Sequence, residues 1–240
     1  MASRFIQAAN YSLISSKVLK YFSVLIEKKT LIKIGISTGT SPQLFYKLIA
    51  DFLKEFPENR EKIFVYQLDE WGGLSIKDSS SCAYYMQKYV VDAWNLRQDQ
   101  CQFIDGSRLF DKCYIHNLSQ VYKNVSLDLS ILGLGVNAHI ALNEPGSAYN
   151  SQFRIISLSN TSKAHSMLSG MVKSDKPVCG ITIGFKEILD SEVLYLIVAG
   201  KHKKKAYSDF INHVAEEICP AVNLYRHPQL LCFIDSSSVK

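Results

Sequence analysis

No run of apolar residues in this 240-residue chain approaches the length that a membrane-spanning helix needs. The N-terminus also lacks a continuous apolar stretch, because Gln, Asn and Ser interrupt it. These absences predict a soluble, cytoplasmic protein with no membrane partner. The six cysteines (Cys82, Cys101, Cys113, Cys179, Cys219 and Cys232) contain no CxxC pair and no other metal spacing. Several, such as Cys179 and Cys232, lie within apolar runs, which fits reduced, buried thiols. A strong charge bias is missing as well: 27 basic against 22 acidic residues leave a net +5. That excess is too small for a nucleic-acid partner, although it suits an anionic substrate. The one basic cluster, residues 201–205, fits a solvated helix start better than a nucleic-acid patch. Repeats, low-complexity tracts and linkers are absent too, so one domain over residues 1–240 is expected.

Hydrophobic spacing supplies the architecture. Phe5, Ala8, Ala9, Leu13, Val18, Leu19, Phe22 and Leu25 recur at helical intervals and predict a helix over residues 3–28. Residues 31–36 predict a strand. Ser41 before Pro42 predicts the N-cap of a helix whose apolar stripe is Leu44, Phe45, Leu48, Ile49, Phe52 and Leu53. Further strands are expected at 63–68, 127–132, 155–158, 178–183, 193–198 and 230–234, the last closing the sheet. Helices are expected near 82–94 and 202–214, with a mobile helical flap at 159–176. Strands alternating with helices predict an α/β fold, a doubly wound, mostly parallel sheet with helices on both faces. Loops at the carboxyl ends of its strands then carry the function.

Four of those loops hold chemistry-bearing residues. The stretch Ser37-Thr38-Gly39-Thr40-Ser41-Pro42 places a glycine and hydroxyls before a helix N-terminus, a phosphate cradle of N–H groups and dipole. It lacks the Gly-Lys-Ser/Thr of a P-loop, and it also serves as a plain capped turn. Asp69-Glu70-Trp71 ends a strand, and side-chain alternation lets only one of the two acids enter a given cleft. A carboxylate there shuttles a proton on a sugar carbon; otherwise the pair is an Asx-type turn and a solvated Glu. The run from Gly133 to Gly146 then combines glycines, Asn137, His139, Asn143 and Glu144. An imidazole with a carboxylate in the same glycine-bounded loop has the makings of an oriented acid/base. Asn137 either donates to a substrate hydroxyl or satisfies the turn. Lys203 follows strand 193–198 and Gly200, where a cation reaches a phosphate at the sheet edge; Lys201, Lys204 and Lys205 compete with it.

In this order, these pieces resemble the glucosamine-6-phosphate deaminase family over nearly the whole chain. The most specific element is His139-Ile140-Ala141-Leu142-Asn143-Glu144-Pro145-Gly146. Leu68-Asp69-Glu70-Trp71 and residues 177–184 look closer to the galactosamine-6-phosphate deaminase/isomerase branch, since members acting on glucosamine 6-phosphate usually carry Tyr in place of Trp71. The resemblance implies conversion of an amino-sugar 6-phosphate to a ketose 6-phosphate plus ammonia, with no redox cofactor and no metal. It implies that His139 moves a proton at the ring oxygen, that Asp69 carries the C2 proton to C1, and that Glu144 tunes His139. Thr38, Gly39, Thr40, Ser41 and Lys203 would hold the phosphate, with Glu70 beside the substrate. A homo-oligomer is compatible with the family pattern.

The chain also departs from that pattern. Many relatives carry Asp-Gly where Asn137-Ala138 stands, and no Arg between 159 and 176 matches the family's phosphate-binding Arg of the flap. Arg154 matches an allosteric-site Arg of the regulated hexameric members, but the neighbouring Lys of that site is Ile156 here, which implies loss of that control. Two alternatives remain. One is a 6-phosphogluconolactonase-type hydrolase, disfavoured by Asn143-Glu144-Pro145; the other is a sugar-phosphate-binding regulator without turnover.

Overall fold

The computed structural model describes residues 4–172 and 175–239. The chain opens with β1 (Arg4–Ala8) and α1 (Tyr11–Glu27), then β2 (Ile32–Ile36), α2 (Thr40–Glu55), β3 (Ile63–Gln67) and β4 (Asp69–Trp71). The segment α3 (Cys82–Met86) runs through a π turn (Gln87–Val91) into α4 (Asp92–Trp94). Next come β5 (Cys101–Gln102), α5 (Lys112–Asn124), β6 (Leu129–Gly133), β7 (Arg154–Ser157) and α6 (Asn160–Lys163). The chain finishes with β8 (Cys179–Thr182), α7 (Phe185–Leu189), β9 (Val193–Val198), α8 (Lys204–Ile211), β10 (Leu230–Asp235) and α9 (Ser236–Val239).

Seven strands form one parallel sheet in the order β1-β10-β9-β6-β2-β3-β5. Period-two alternation sorts their side chains onto two apolar layers. Tyr195 and Ile197 of β9 pack with α1, α2 and α3, while Leu194, Leu196 and Val198 pack with α5, α7 and α8. Helices therefore cover both faces, as the alternating pattern predicts. Each fully buried Ile, Leu or Phe in these layers contributes about 1.5–3 kcal/mol of transfer free energy.

The structure corrects several sequence expectations. The predicted first helix begins at Tyr11, not near residue 3. Asn10 caps it, accepting from the Leu13 N–H at 3.0 Å, and the residues before the cap pair along β10 as the edge strand. Ser3 itself lies outside the described residues, as do Lys173 and Ser174 of the expected flap. Since β1 takes the edge, β10 lies inside the sheet and does not close it. Strands β8 and β7 do not join the parallel sheet; with β4 they make a separate antiparallel one, in the order β4-β8-β7. Asp69–Trp71, expected as the end of the strand at 63–68 with an Asx-type turn as the alternative, is thus a strand of that second sheet. The expected flap contains α6 and a 3-10 turn (Ser166–Leu168).

Candidate active site

Strands β9, β6, β2 and β3 are neighbours, and their carboxyl ends meet at one cleft of about 330 Å³. The chain leaves β2 toward β3 on one side and β6 toward β9 on the other. Loops part at such a reversal and leave a crevice. The cleft is lined by residues 37–41, Asp69, Trp71, residues 133–136, His139, residues Thr161 and His165 of the flap, and Lys203.

The turn after β2 begins its helix earlier than the sequence suggests. Gly39, at φ 109, is the cap of α2, a conformation that costs glycine nothing. Ser41 is therefore not the N-cap: it sits in the first turn, and its buried hydroxyl donates to the Ala199 carbonyl at 3.3 Å. No side chain caps α2, so the N–H groups of Thr40 and Ser41 have no intrahelical partner.

Alternation splits the two acids as expected. Asp69 lines the cleft, and burial pushes its carboxyl up to about 7. Glu70 faces the other way, outside the cleft lining. Its oxygens accept from the N–H groups of Trp71 (2.7 Å), Cys82 (2.9 Å) and Ala83 (2.7 Å) and from Gln67 Nε2 (3.0 Å). Burial outweighs the four donors and raises this carboxyl. All four contacts are donors from the protein itself, so Glu70 anchors the start of α3 and is not placed to touch a substrate.

Beyond β6, the backbone bends twice through the left-handed region, at Ala138 (φ 62) and Ala141 (φ 50), on either side of His139. Gly135 lies beneath the imidazole; a Cβ there would stand 2.4 Å from the ring, so only glycine admits this placement. Glu144 stands behind His139, with Oε2 at 3.9 Å from Nδ1. Asn137 also stays outside the cleft lining and bridges the two: its Nδ2 donates to Glu144 Oε2 at 2.8 Å, and its Oδ1 accepts from the His139 N–H at 3.4 Å. The flap joins this network, since the Ser159 N–H donates to Glu144 Oε1 at 3.2 Å and Ser162 Oγ lies 3.4 Å from His139 Nδ1. Burial lowers the imidazole below its usual range, helped by Lys203 and His165 and opposed by Glu144. His139 is thus held neutral, able to take or give a proton.

Of Lys201, Lys203, Lys204 and Lys205, only Lys203 lines the cleft, where burial brings its ammonium down to about 8. Among the described residues no carboxylate stands within 4.0 Å of it, whereas Lys205 pairs with Asp209 at 2.5 Å. Sequence reasoning missed His165, whose ring lies 5.6 Å from that of Trp71, and His202. Neither falls in a recognisable pattern, and only the fold brings them to the cleft. Three cleft residues also keep a buried polar atom without a hydrogen-bond partner among the described residues: Ser37 Oγ, Asp69 Oδ1 and Trp71 Nε1. Buried polar atoms are nearly always paired, so such a concentration marks a place prepared for a polar ligand.

The family model for glucosamine-6-phosphate isomerases/6-phosphogluconolactonase matches residues 8–232. The chain belongs to that family. It is 27% identical over 239 residues to a glucosamine-6-phosphate deaminase of Halalkalibacterium halodurans, covering 99% of this chain and 97% of that one. It is 30% identical over 218 residues to a glucosamine-6-phosphate deaminase of Pseudoalteromonas translucida, covering 89% and 81%. Among solved structures, a monomeric glucosamine-6-phosphate deaminase superposes with a TM-score of 0.90 at 22% identity, over 99% of this chain and 100% of that one. That likeness shows the α/β fold, and the family is one of enzymes of sugar-phosphate metabolism. Among the described residues no helix is long and apolar enough to cross a membrane.

Proposed function

We propose that the chain converts galactosamine 6-phosphate or glucosamine 6-phosphate, with water, to the ketose 6-phosphate and ammonia. The observation that carries this reading is the placement of Asp69 and His139 on separate strand ends facing one cleft, with residues 38–41 and Lys203 lining it beside them. An aldose–ketose shift needs a base at C2 and a proton carrier at the ring oxygen; a phosphate dianion needs N–H donors and a cation.

In this reading His139 moves the proton that opens the ring, and Glu144, through Asn137, orients and tunes the imidazole. Asp69 takes the proton from C2 and returns it to C1. The nitrogen on C2 is then an imine, which water hydrolyses to the ketone and ammonia. A carboxyl near 7 is well matched to this work, because it is partly ionised at neutral pH and basic enough to take a carbon-bound proton. Thr38, Gly39, Thr40, Ser41 and Lys203 hold the phosphate. No cation of the described flap lines the cleft: Thr161, His165 and Ser166 stand there, and burial lowers the His165 imidazole, so these residues offer hydrogen bonds and not the charge of the family's Arg. Since the substrate is a phosphorylated metabolite, a cytoplasmic location accompanies the proposal.

Ammonia release from glucosamine, galactosamine and mannosamine 6-phosphates, with 6-phosphogluconolactone as control, tests the proposal and selects the epimer. Hydrolysis of the lactone without ammonia from any amino sugar would favour the other reaction class of the family.

A further inference from the structure

The turn at residues 37–41 is gripped from outside the cleft by three phenols on three helices. Tyr46 of α2 donates to the Ser37 carbonyl at 2.8 Å, Tyr85 of α3 to the Gly39 carbonyl at 2.7 Å, and Tyr11 of α1 to the Thr40 carbonyl at 2.6 Å. None of the three rings lines the cleft. The Tyr11 oxygen also accepts from the Leu44 N–H at 2.9 Å. It therefore sits between Thr40 C=O and Leu44 N–H, the two groups that a regular bond of the first helical turn joins. A side chain inserted into that ladder opens the turn locally.

A planar trans peptide points its C=O and the next residue's N–H in opposite directions. Anchoring the carbonyls of Ser37, Gly39 and Thr40 on phenols outside the cleft therefore turns the N–H groups of Thr38, Thr40 and Ser41 toward it. The same anchors keep three carbonyl oxygens, which repel an anion, away from the ligand. Burial raises all three phenols, so they remain protonated donors. We propose that Tyr11, Tyr46 and Tyr85 are positioning residues that set the phosphate affinity of this turn by fixing the direction of its peptide groups.

This inference rests on the phosphate reading of the turn and not on the fate of the amine. Its test is calorimetric titration of inorganic phosphate into the wild-type protein and into Tyr11→Phe, Tyr46→Phe and Tyr85→Phe, with melting temperatures alongside. Tyr122→Phe is the control, because it removes the same kind of bond to a carbonyl outside the turn, that of Gln67 on β3. Each clamp variant is expected to weaken phosphate about five- to tenfold, the worth of one such hydrogen bond. KM for the amino-sugar phosphate should rise by the same factor, with kcat within about twofold because the proton-transfer groups are untouched. The control should lower the melting temperature and leave phosphate affinity unmoved. Tyr11 is only part-buried, so Tyr11→Phe decides the matter if a core variant fails to fold. Unchanged phosphate affinity in folded clamp variants, or equal weakening in Tyr122→Phe, would overturn the clamp. If phosphate weakens in the clamp variants but no amino sugar yields ammonia, the clamp stands and the reaction assignment fails. If ammonia appears and phosphate affinity does not move, the reverse holds.

Discussion

Asp69 is unusual among the chain's acids because it is buried, lines the cleft and keeps Oδ1 unpaired, whereas its neighbour Glu70 collects four donors. Replacing it tests the base assignment without touching the phosphate groups. Asp69→Asn is expected to abolish exchange of the C2 proton with solvent while inorganic phosphate binds within about threefold of wild type. Proton exchange at the parental rate would remove Asp69 from the mechanism. The same substitution has a stability signature. A carboxyl raised in the folded state binds its proton more tightly there than in the unfolded chain. Its ionisation therefore costs stability as pH rises from about 4 toward 7, by about 1.4 kcal/mol per pH unit. Asp69→Asn should raise the melting temperature at pH 8 more than at pH 5. Activity carries its own profile. With Asp69 near 7 and Lys203 near 8, kcat/KM of the wild type should fall below about pH 7, where the base becomes protonated, and above about pH 8, where the phosphate loses its cation. Lys203→Gln should lose the alkaline limb and keep the acid one.

At the scale of elements, the loop after β6 shows how a departure from the family pattern is accommodated. Asn137 donates an amide N–H to Glu144, a contact that a carboxylate at 137 is unable to make. Asn137→Asp therefore places two carboxylates within hydrogen-bond distance. The variant should lose about 1–3 kcal/mol at pH 7 by denaturant melts and recover as pH falls and the pair takes up one proton. The added charge should also raise the His139 pKa, read from imidazole NMR shifts. Unaltered stability and an unmoved imidazole would dismiss the bridging role. Ala138, which stands where many relatives carry Gly, occupies the left-handed region at φ 62, so the loop keeps the turn at the cost of some strain.

Elements also show what the chain disclosed before folding. Strands β2, β3, β6, β9 and β10 were legible because both sheet faces are buried, which produces short apolar runs bounded by glycine or polar residues. β1 was not, because its residues fit the helical spacing of the segment that follows, and its partner β10 lies over 220 residues away in sequence. Helix α5 was missed because only Leu118 and Tyr122 of its thirteen residues are buried. The second sheet was invisible for another reason: β4 follows β3 after a single residue, and only pairing with β8 reveals the change of sheet. The cleft positions of Asp69, His139, Lys203 and residues 38–41 were legible because these segments combine polar and charged side chains with glycine at strand ends. Glu70, grouped with the substrate contacts, proved to serve a helix start, a role that depends on which way a strand faces.

At the scale of the whole molecule, four adjacent strand ends, two apolar layers and a small antiparallel sheet bring distant segments to one cleft. Arg154 lies on the outer strand of that small sheet, donating to the Gln152 carbonyl at 3.2 Å and to Ser147 Oγ at 3.0 Å, with Ile156 two residues on. With Ile156 in place of the lysine that completes the anion site of the regulated kind, the rate should depend hyperbolically on substrate. Addition of an N-acetyl amino-sugar phosphate should leave that curve unchanged. A sigmoidal curve relieved by that compound would show that the protein keeps allosteric control.

The reaction itself is read most plainly from the balance of its products. Purified protein incubated with galactosamine 6-phosphate and with glucosamine 6-phosphate is predicted to release ammonia and ketose 6-phosphate in equal amounts from at least one of them. Tight binding of both sugars without ammonia, or turnover of 6-phosphogluconolactone alone, would contradict it.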